Sequence, residues 1–311
     1  MLSIGPVAAI DCGTNSTRLL VTDWMGRPLQ RLTRITRLGQ GVDAAGELAP
    51  EAIDRCLSVL REYRGVMDRM GVVRGRLVAT SAARDAANGE EFLFKAGEVS
   101  GFEPELLAGS EEGRLSMSGA VSDLDGDDGP FLVLDIGGGS TELVTGDGPD
   151  DPDLAVVSLQ VGCVRITERF LTADPPTAEE LRAGECLIGE LLGSAIAEHP
   201  RFLMANRLVG LAGTVSTLSA LNMGMDEYDR DRVHHSVLTA DEVAAWYRTL
   251  AGEVREARLD RAGMVPGRED VIVGGALILS AVMSRFGFAS CLVSEADILD
   301  GMVASMLVRQ S

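Results

Sequence analysis

One string of fourteen residues occurs twice in this chain. Ile10–Asp23 reads IDCGTNSTRLLVTD and Leu134–Asp147 reads LDIGGGSTELVTGD, at a constant offset of 124 positions. Six of the fourteen positions are identical: Asp11/Asp135, Gly13/Gly137, Ser16/Ser140, Thr17/Thr141, Leu19/Leu143 and Asp23/Asp147. Each copy is an apolar run, then an acid with glycines and hydroxyls, then a second apolar run, which is the pattern of strand, tight turn and strand. Repetition of so specific a string predicts two similar domains. At 311 residues the chain is long enough for each to bury a core of its own.

The periodicity between the copies predicts a strand at Leu29–Ile35, an amphipathic helix over Pro50–Met70, a strand at Arg76–Thr80, and helices around Glu90–Val99 and Glu111–Val121. Beyond the second copy it predicts strands at Ala155–Leu159 and Arg207–Leu211. Helices are expected over Ala178–Glu198, Ala240–Leu250, Asp270–Phe286 and Ala296–Val308. This alternation implies an α/β fold. The acidic, aperiodic stretch Ser122–Pro130 (SDLDGDDGP) reads as linker or surface loop, so the expected domains are 1–125 and 126–311.

The net charge of −19 argues against a nucleic-acid polymer as partner, because duplex binding draws its affinity from Lys and Arg against phosphate. A small polyanionic substrate would need a local basic site. Only one lysine, Lys95, stands among the 28 basic residues, and arginine is the better bidentate phosphate ligand. The longest apolar runs fall far short of the roughly 20 residues that span a bilayer, and no secretory pattern opens the chain, so no membrane and a cytoplasmic setting are expected. Five scattered cysteines, without the paired spacing of a zinc site or disulfide framework, read as small buried thiols.

An aspartate at a strand end, followed by Gly-x-x-Ser-Thr or Gly-Gly-Gly-Ser-Thr, leaves backbone N–H groups and hydroxyls pointing at one oxyanion. Gly13, Thr14, Asn15 and Ser16 in the first copy, and Gly137, Gly138, Gly139 and Ser140 in the second, therefore read as phosphate cradles. Asp11, Asp135 and Glu142 are a set of hard oxygen ligands suited to Mg²⁺ or Mn²⁺. GSEEGR (Gly109–Arg114) places two carboxylates after Ser110, an acceptable N-cap. It reads either as an ordinary acidic first turn or as the source of a base for water. ATSAARDAAN (Ala79–Asn88) offers Arg84 to a phosphate, although alone it is a helix start.

Six separated segments, IDCGTNSTRLL, ATSAARDAAN, GSEEGR, VLDIGGGSTELV, LVGLAGTVSTL and VPGREDVIVGGALIL, stand in an order and spacing that resemble the exopolyphosphatase and guanosine pentaphosphate phosphohydrolase family. LDGM (Leu299–Met302) is similar to that family's closing helix motif. The resemblance implies two ribonuclease-H-like domains of the actin-like ATPase superfamily with a phosphate-binding interdomain cleft. It implies Glu112 as the base for the attacking water, with Asp135 and Glu142 holding Mg²⁺ or positioning the water, and Asp11 on the opposite loop. Asn15, Gly137, Gly138, Arg84 and Arg268 would hold the terminal phosphates, while Gly213 and Thr214 match a third loop that contacts nucleotide in some members. Thr14 stands where the family often has Ser, which keeps the hydroxyl. Long members carry further C-terminal helical domains, so weaker handling of very long polyphosphate is expected of a chain ending at Ser311.

The expected activity is release of the terminal phosphate of inorganic polyphosphate. Its rivals are pppGpp as substrate, or a non-hydrolytic nucleotide-binding regulator, against which Glu112, Asp135 and Glu142 speak. A homodimer is implied by the resemblance. Two features stand apart. His234–His235 looks like a metal pair only superficially, since neighbours in a strand face opposite sides. Arg27, Arg31, Arg34 and Arg37 read either as a solvated edge or as a track for a polyanion.

Overall fold

The computed structural model describes residues 5–308. They form two compact units, one running to Gly119 and resumed from Ile298, the other Ala120–Asp297.

In the first unit, β1 (Val7–Cys12), β2 (Ser16–Thr22), β3 (Pro28–Ile35), β4 (Arg74–Ala79) and β5 (Pro104–Leu106) make a sheet of order β3-β2-β1-β4-β5. The β1–β2 and β2–β3 pairs are antiparallel; β1–β4 and β4–β5 are parallel. Every residue of β1 is buried, because both of its faces are covered. Ala8, Ile10 and Cys12 pack with Ile53, Cys56, Leu60, Tyr63 and Met67 of the Pro50–Arg69 helix, whose spacing of three and four makes one apolar stripe. The alternate residues Val7 and Ala9 pack with Leu299, Met302, Val303 and Met306 of the last helix, Ile298–Val308.

That last contact corrects the expected boundaries. The closing helix belongs to the first unit and not to a 126–311 domain, since its apolar residues pack, with Leu107 and Leu115, over the face of β1 bearing Val7 and Ala9. Arg31 fastens it further, with Nη2 donating to both carboxylate oxygens of Asp300 at 2.6 Å. A Cβ at Gly301 would lie 2.0 Å from the carbonyl oxygen of Leu115, which no side-chain rotation relieves. Gly301→Ala is therefore expected to destabilise the first unit by about 1–3 kcal/mol, read as a lowered denaturation midpoint.

In the second unit, β6 (Phe131–Ile136), β7 (Thr141–Gly146), β8 (Ala155–Leu159), β9 (Arg207–Leu211), β10 (Val237–Thr239) and β11 (Ser290–Val293) take the order β10-β11-β9-β6-β7-β8. Leaving aside the extra edge strand β10, this is the order of the first sheet with the same pattern of sense: two antiparallel pairs on one side of the central strand and two parallel pairs on the other. Both units thus have the ribonuclease-H-like topology, and the α/β duplication expected from the repeat holds. The core gathers on the Ile272–Phe286 helix, which is buried nearly all round through Ile272, Ala276, Leu277, Leu279 and Val282. Its helical neighbours are Cys163–Phe170, Ala178–Glu198, Ala212–Asn222 and Ala240–Ala251.

The Ser122–Pro130 stretch is no free linker. It lies in the second unit, where Asp128 pairs with Arg207 and the Asn206 amide donates to the Pro130 carbonyl at 2.7 Å. Of the four arginines near β3, Arg27 pairs with Asp23, Arg31 with Asp300 and Arg34 with Glu62, which makes this a charge-compensated edge. Cys186 is exposed, whereas the other four cysteines are buried as expected. No helix of the described residues is long and apolar enough to cross a membrane.

One helix start carries a pH signature. Thr177 and Glu180 form a capping box, and the Glu180 carboxylate also accepts from the amides of Thr172 and Ala173 and the Thr172 hydroxyl. These bonds, led by the Thr177 amide, hold its pKa at about 2, below the ordinary 4.5. A depressed acid contributes stability that is present above pH 4.5 and lost as pH falls towards 2. Glu180→Gln is expected to flatten the fall of the melting temperature across that window in a thermal scan series.

Candidate active site

In each unit the candidate residues stand at the carboxyl ends of the parallel strands, where backbone groups and loop side chains are free to meet a ligand.

In the first unit, the first loop leaves β1 in a tight turn closed by the Gly13 amide donating to the Ser16 carbonyl at 3.0 Å. Backbone amides of Thr36 and Arg37 donate to the Asn15 carbonyl at 3.0 and 2.9 Å, and that of Gly39 to the Thr14 carbonyl at 2.9 Å. Loop carbonyls are thereby occupied and turned away. Thr14 and Asn15 are both buried, and Asn15 Nδ2 finds no hydrogen-bond acceptor among the described residues. Across the β1–β2 ladder Asp11 stands opposite Arg18, which donates to Asp11 Oδ2 through Nε and Nη2 at 2.9 and 2.6 Å.

Arg84 lies on the short Ser81–Asp85 helix beyond β4, and Glu112 in the first turn of the Gly109–Ala120 helix beyond β5. The sheet brings them together: Arg84 Nη1 donates to the Leu107 carbonyl at 2.7 Å and stands 3.5 Å from Glu112 Oε2. Arg84 Nη2 is buried and, like Asn15 Nδ2, finds no acceptor among the described residues. Ser110 does not cap the Glu112 helix. The Glu112 amide donates to the Ala108 carbonyl at 2.9 Å, so the helix already runs at Gly109 and Ser110 sits inside its first turn.

In the second unit, Asp135 and Glu142 face each other as direct cross-strand partners of β6 and β7. Both are buried, and the Ser158 hydroxyl donates to Glu142 Oε1 at 2.8 Å. This is the ladder position held by Asp11 and Arg18 in the first unit, with the cation replaced by a second acid. Two like charges held directly opposite one another are unfavourable unless a cation joins them.

The Gly137–Ser140 loop rests on an element that the sequence reading missed, the Cys163–Phe170 helix. Its first amides bind the loop carbonyls, Cys163 to Gly137 at 2.9 Å and Val164 to Gly138 at 2.9 Å. A Cβ at Gly162 would meet the Gly138 oxygen at 2.4 Å, so a glycine there is what allows the helix to sit against the loop. The only sequence signal was a glycine before a short mixed-polarity run.

Gly213 and Thr214 open the Ala212–Asn222 helix after β9, with Ala212 in the left-handed region at φ 65. The Arg268 guanidinium lies directly over Gly213, where a Cβ would come within 1.7 Å of its central carbon. Burial pushes the Cys163 thiol up, and Arg268 and the Thr214 hydroxyl pull it the other way. The second loop, Cys163, Gly213, Thr214 and Arg268 are thus one neighbourhood of the second unit. Tyr228 adjoins it: burial raises its phenol above the ordinary range, Ser216 and Arg268 oppose that, and its hydroxyl donates to Glu295 at 2.6 Å.

A profile of the Ppx/GppA phosphatase family matches residues 21–310. The chain belongs to the Ppx/GppA phosphatase family. It is 42% identical to a Mycobacterium tuberculosis protein named Exopolyphosphatase 2, over 98% of this chain and 99% of that one. Among solved structures it is similar to an exopolyphosphatase from Cytophaga hutchinsonii, at 26% identity and a TM-score of 0.87, covering 98% of each chain. A Ppx/GppA family member from Aquifex aeolicus matches at 32% identity and a TM-score of 0.81, over 99% of each chain.

His234 and His235 depart from the reading that set them on opposite faces. They lie in the turn after the Arg230–Val233 helix, their rings stacked at 3.8 Å, and both reach Asp123.

Proposed function

We propose that this chain is an exopolyphosphatase, which hydrolyses the terminal phosphoanhydride bond of inorganic polyphosphate and releases orthophosphate. The carrying observation is the pair of buried donors, Asn15 Nδ2 and Arg84 Nη2, that find no acceptor among the described residues, with Arg84 beside the Glu112 carboxylate. Buried donors are costly to leave unmade, and the oxygens of a phosphate chain answer them. Likeness to proteins named exopolyphosphatase supports the same substrate.

The roles divide by unit. In the first, Asn15 and Arg84 bind and orient phosphoryl oxygens, while Glu112 accepts a proton from the attacking water as its oxygen bonds to phosphorus. The bond from phosphorus to the bridging oxygen breaks, and that oxygen leaves on the shortened chain with the bonding electron pair as a new negative charge. Arg84 next to Glu112 offsets the repulsion between that carboxylate and an anionic substrate.

In the second unit, Asp135 and Glu142 would hold Mg²⁺ or Mn²⁺. Opposed hard-oxygen ligands, with Ser158 fixing one of them, fit such an ion. When bound, the cation neutralises charge on phosphoryl oxygens. Asp11 is the least suited of the three acids to this task, because its Oδ2 already answers Arg18. Arg268 over Gly213 presents a planar donor to further phosphates.

A cytoplasmic setting accords with five free cysteines. The homodimer implied by the family is checked by light scattering. For the activity, purified protein is offered polyphosphates of several lengths, pppGpp and ATP with Mg²⁺ or Mn²⁺, and orthophosphate is measured. Sustained release from polyphosphate is expected; release from pppGpp alone would make the guanosine compound the substrate. Failure on both sinks the hydrolase reading.

A further inference from the structure

We propose that Asp123, His234 and His235 form a second cation site, sharing no residue with the acid pair and suited to a first-row transition ion such as Zn²⁺ or Ni²⁺. Its first support is the backbone. His235 sits at φ 60, a region that non-glycine residues seldom enter. This turn is held in place by β11, where the His235 amide donates to the Val293 carbonyl at 2.8 Å and the Val293 amide to the Ser236 carbonyl at 2.9 Å. Neighbouring side chains are thereby thrown to the same side, and the two imidazoles stack at 3.8 Å with 29° between their planes.

Both rings turn the same nitrogen to one carboxylate. His234 Nε2 stands 2.9 Å from Asp123 Oδ2, and His235 Nε2 stands 3.5 Å from Asp123 Oδ1. One ring nitrogen from each histidine and a carboxylate oxygen of Asp123 all lie within 4.8 Å of one another. At zinc–nitrogen bonds of about 2.0–2.1 Å, ligands on a tetrahedron are roughly 3.4 Å apart, so small side-chain rotations bring the three atoms to binding distance. Asp123 and His235 are exposed, which leaves solvent to complete the shell. Two imidazoles with one carboxylate favour Zn²⁺, Ni²⁺ or Cu²⁺ over Mg²⁺, the reverse of an all-carboxylate pair.

The tautomer sets a condition. The Glu295 amide donates to His234 Nδ1 at 3.1 Å, so the neutral ring carries its proton on Nε2, directed at Asp123. Metal capture through Nε2 moves that proton to Nδ1 through solvent and gives up two hydrogen bonds, the one from the Glu295 amide and the one to Asp123, in exchange for bonds from the ion to the ring nitrogen and the carboxylate. The Glu295 amide is consequently a site-specific reporter.

Asp123 lies on the stretch between the Gly109–Ala120 helix and β6, and the histidines lie between the Arg230–Val233 helix and β10. A bound ion would clip that stretch to the body of the second unit, in the way that a short cross-link does.

The test uses the full chain, stripped with chelator and then titrated with Zn²⁺ by calorimetry in millimolar Mg²⁺, which occupies the hard carboxylate site. The wild-type protein is expected to take up one Zn²⁺ equivalent that His235→Gln and Asp123→Asn lose, with at least tenfold weaker binding. The Glu295 amide resonance should shift on zinc addition only in the wild type. Mg²⁺-supported phosphate release should be the same in both variants, which keeps the outcome separate from the hydrolase reading and reports that they fold. Equal zinc uptake by all three proteins, or none by the wild type, overturns the proposal. So does an unmoved Glu295 resonance at saturating zinc.

Discussion

Replacing Glu112 by glutamine is expected to lower the turnover of polyphosphate by about 10²–10⁴-fold, the range that general-base catalysis contributes. The variant keeps the shape of the side chain and an oxygen near Arg84 Nη1, at the position where Oε2 now stands 3.5 Å away. It removes the proton acceptor and one negative charge. Loss of that charge beside a polyanion leaves substrate affinity equal or tighter, because a repulsion disappears while Arg84 and Asn15 still donate. The paired measurement is single-turnover phosphate release and equilibrium binding of a polyphosphate. Turnover within about fivefold of wild type would retire Glu112 as the base. A loss of binding equal to the loss of turnover would make it a positioning group for the chain.

Glu142→Gln separates function from stability in opposite directions. Glu142 and Asp135 are opposed across β6 and β7, both buried. Two carboxylates opposed on one ladder repel each other, and one amide in place of one carboxylate reduces that repulsion by up to about 1 kcal/mol. The metal-free variant is therefore expected to melt above the metal-free wild type. The Ser158 hydroxyl keeps an oxygen to donate to, so the packing at 2.8 Å is preserved. With Mg²⁺ the order reverses: the wild type gains stability from the ion and the variant gains little. Activity should fall by about 10²–10³-fold for want of charge stabilisation at the phosphoryl oxygens. Thermal scans with and without Mg²⁺, beside a phosphate-release assay, read both effects. A variant less stable than wild type in the absence of metal would show that Glu142 is structural and not a ligand held under repulsion.

Much of this was legible in the residues because it is encoded locally. The two fourteen-residue strings are strand, turn and strand in both sheets, and their alternating and continuous apolar runs carry that information within ten residues. The duplication of topology, the long helices at Pro50–Arg69 and Ala178–Glu198, and the family membership all follow from patterns of this kind. The replacement of Arg18 by Glu142 at the same place in the repeat was likewise visible as letters.

What that replacement does was decided only by register. The ladder sets Arg18 against Asp11 and Glu142 against Asp135, so one acid is neutralised and the other doubled. Long-range packing decided the rest. The final helix returns to the first unit because β1 needs its second face covered, and no local pattern says which sheet an apolar helix will cover. Arg268 comes to lie over Gly213 from 55 positions further along, and Gly162 carries a helix up to the second loop. The stacked His234 and His235 depend on one left-handed residue and on Asp123, more than a hundred positions away. Short-range propensity chose the elements. Burial of the faces they left exposed chose the partners, and with them the site.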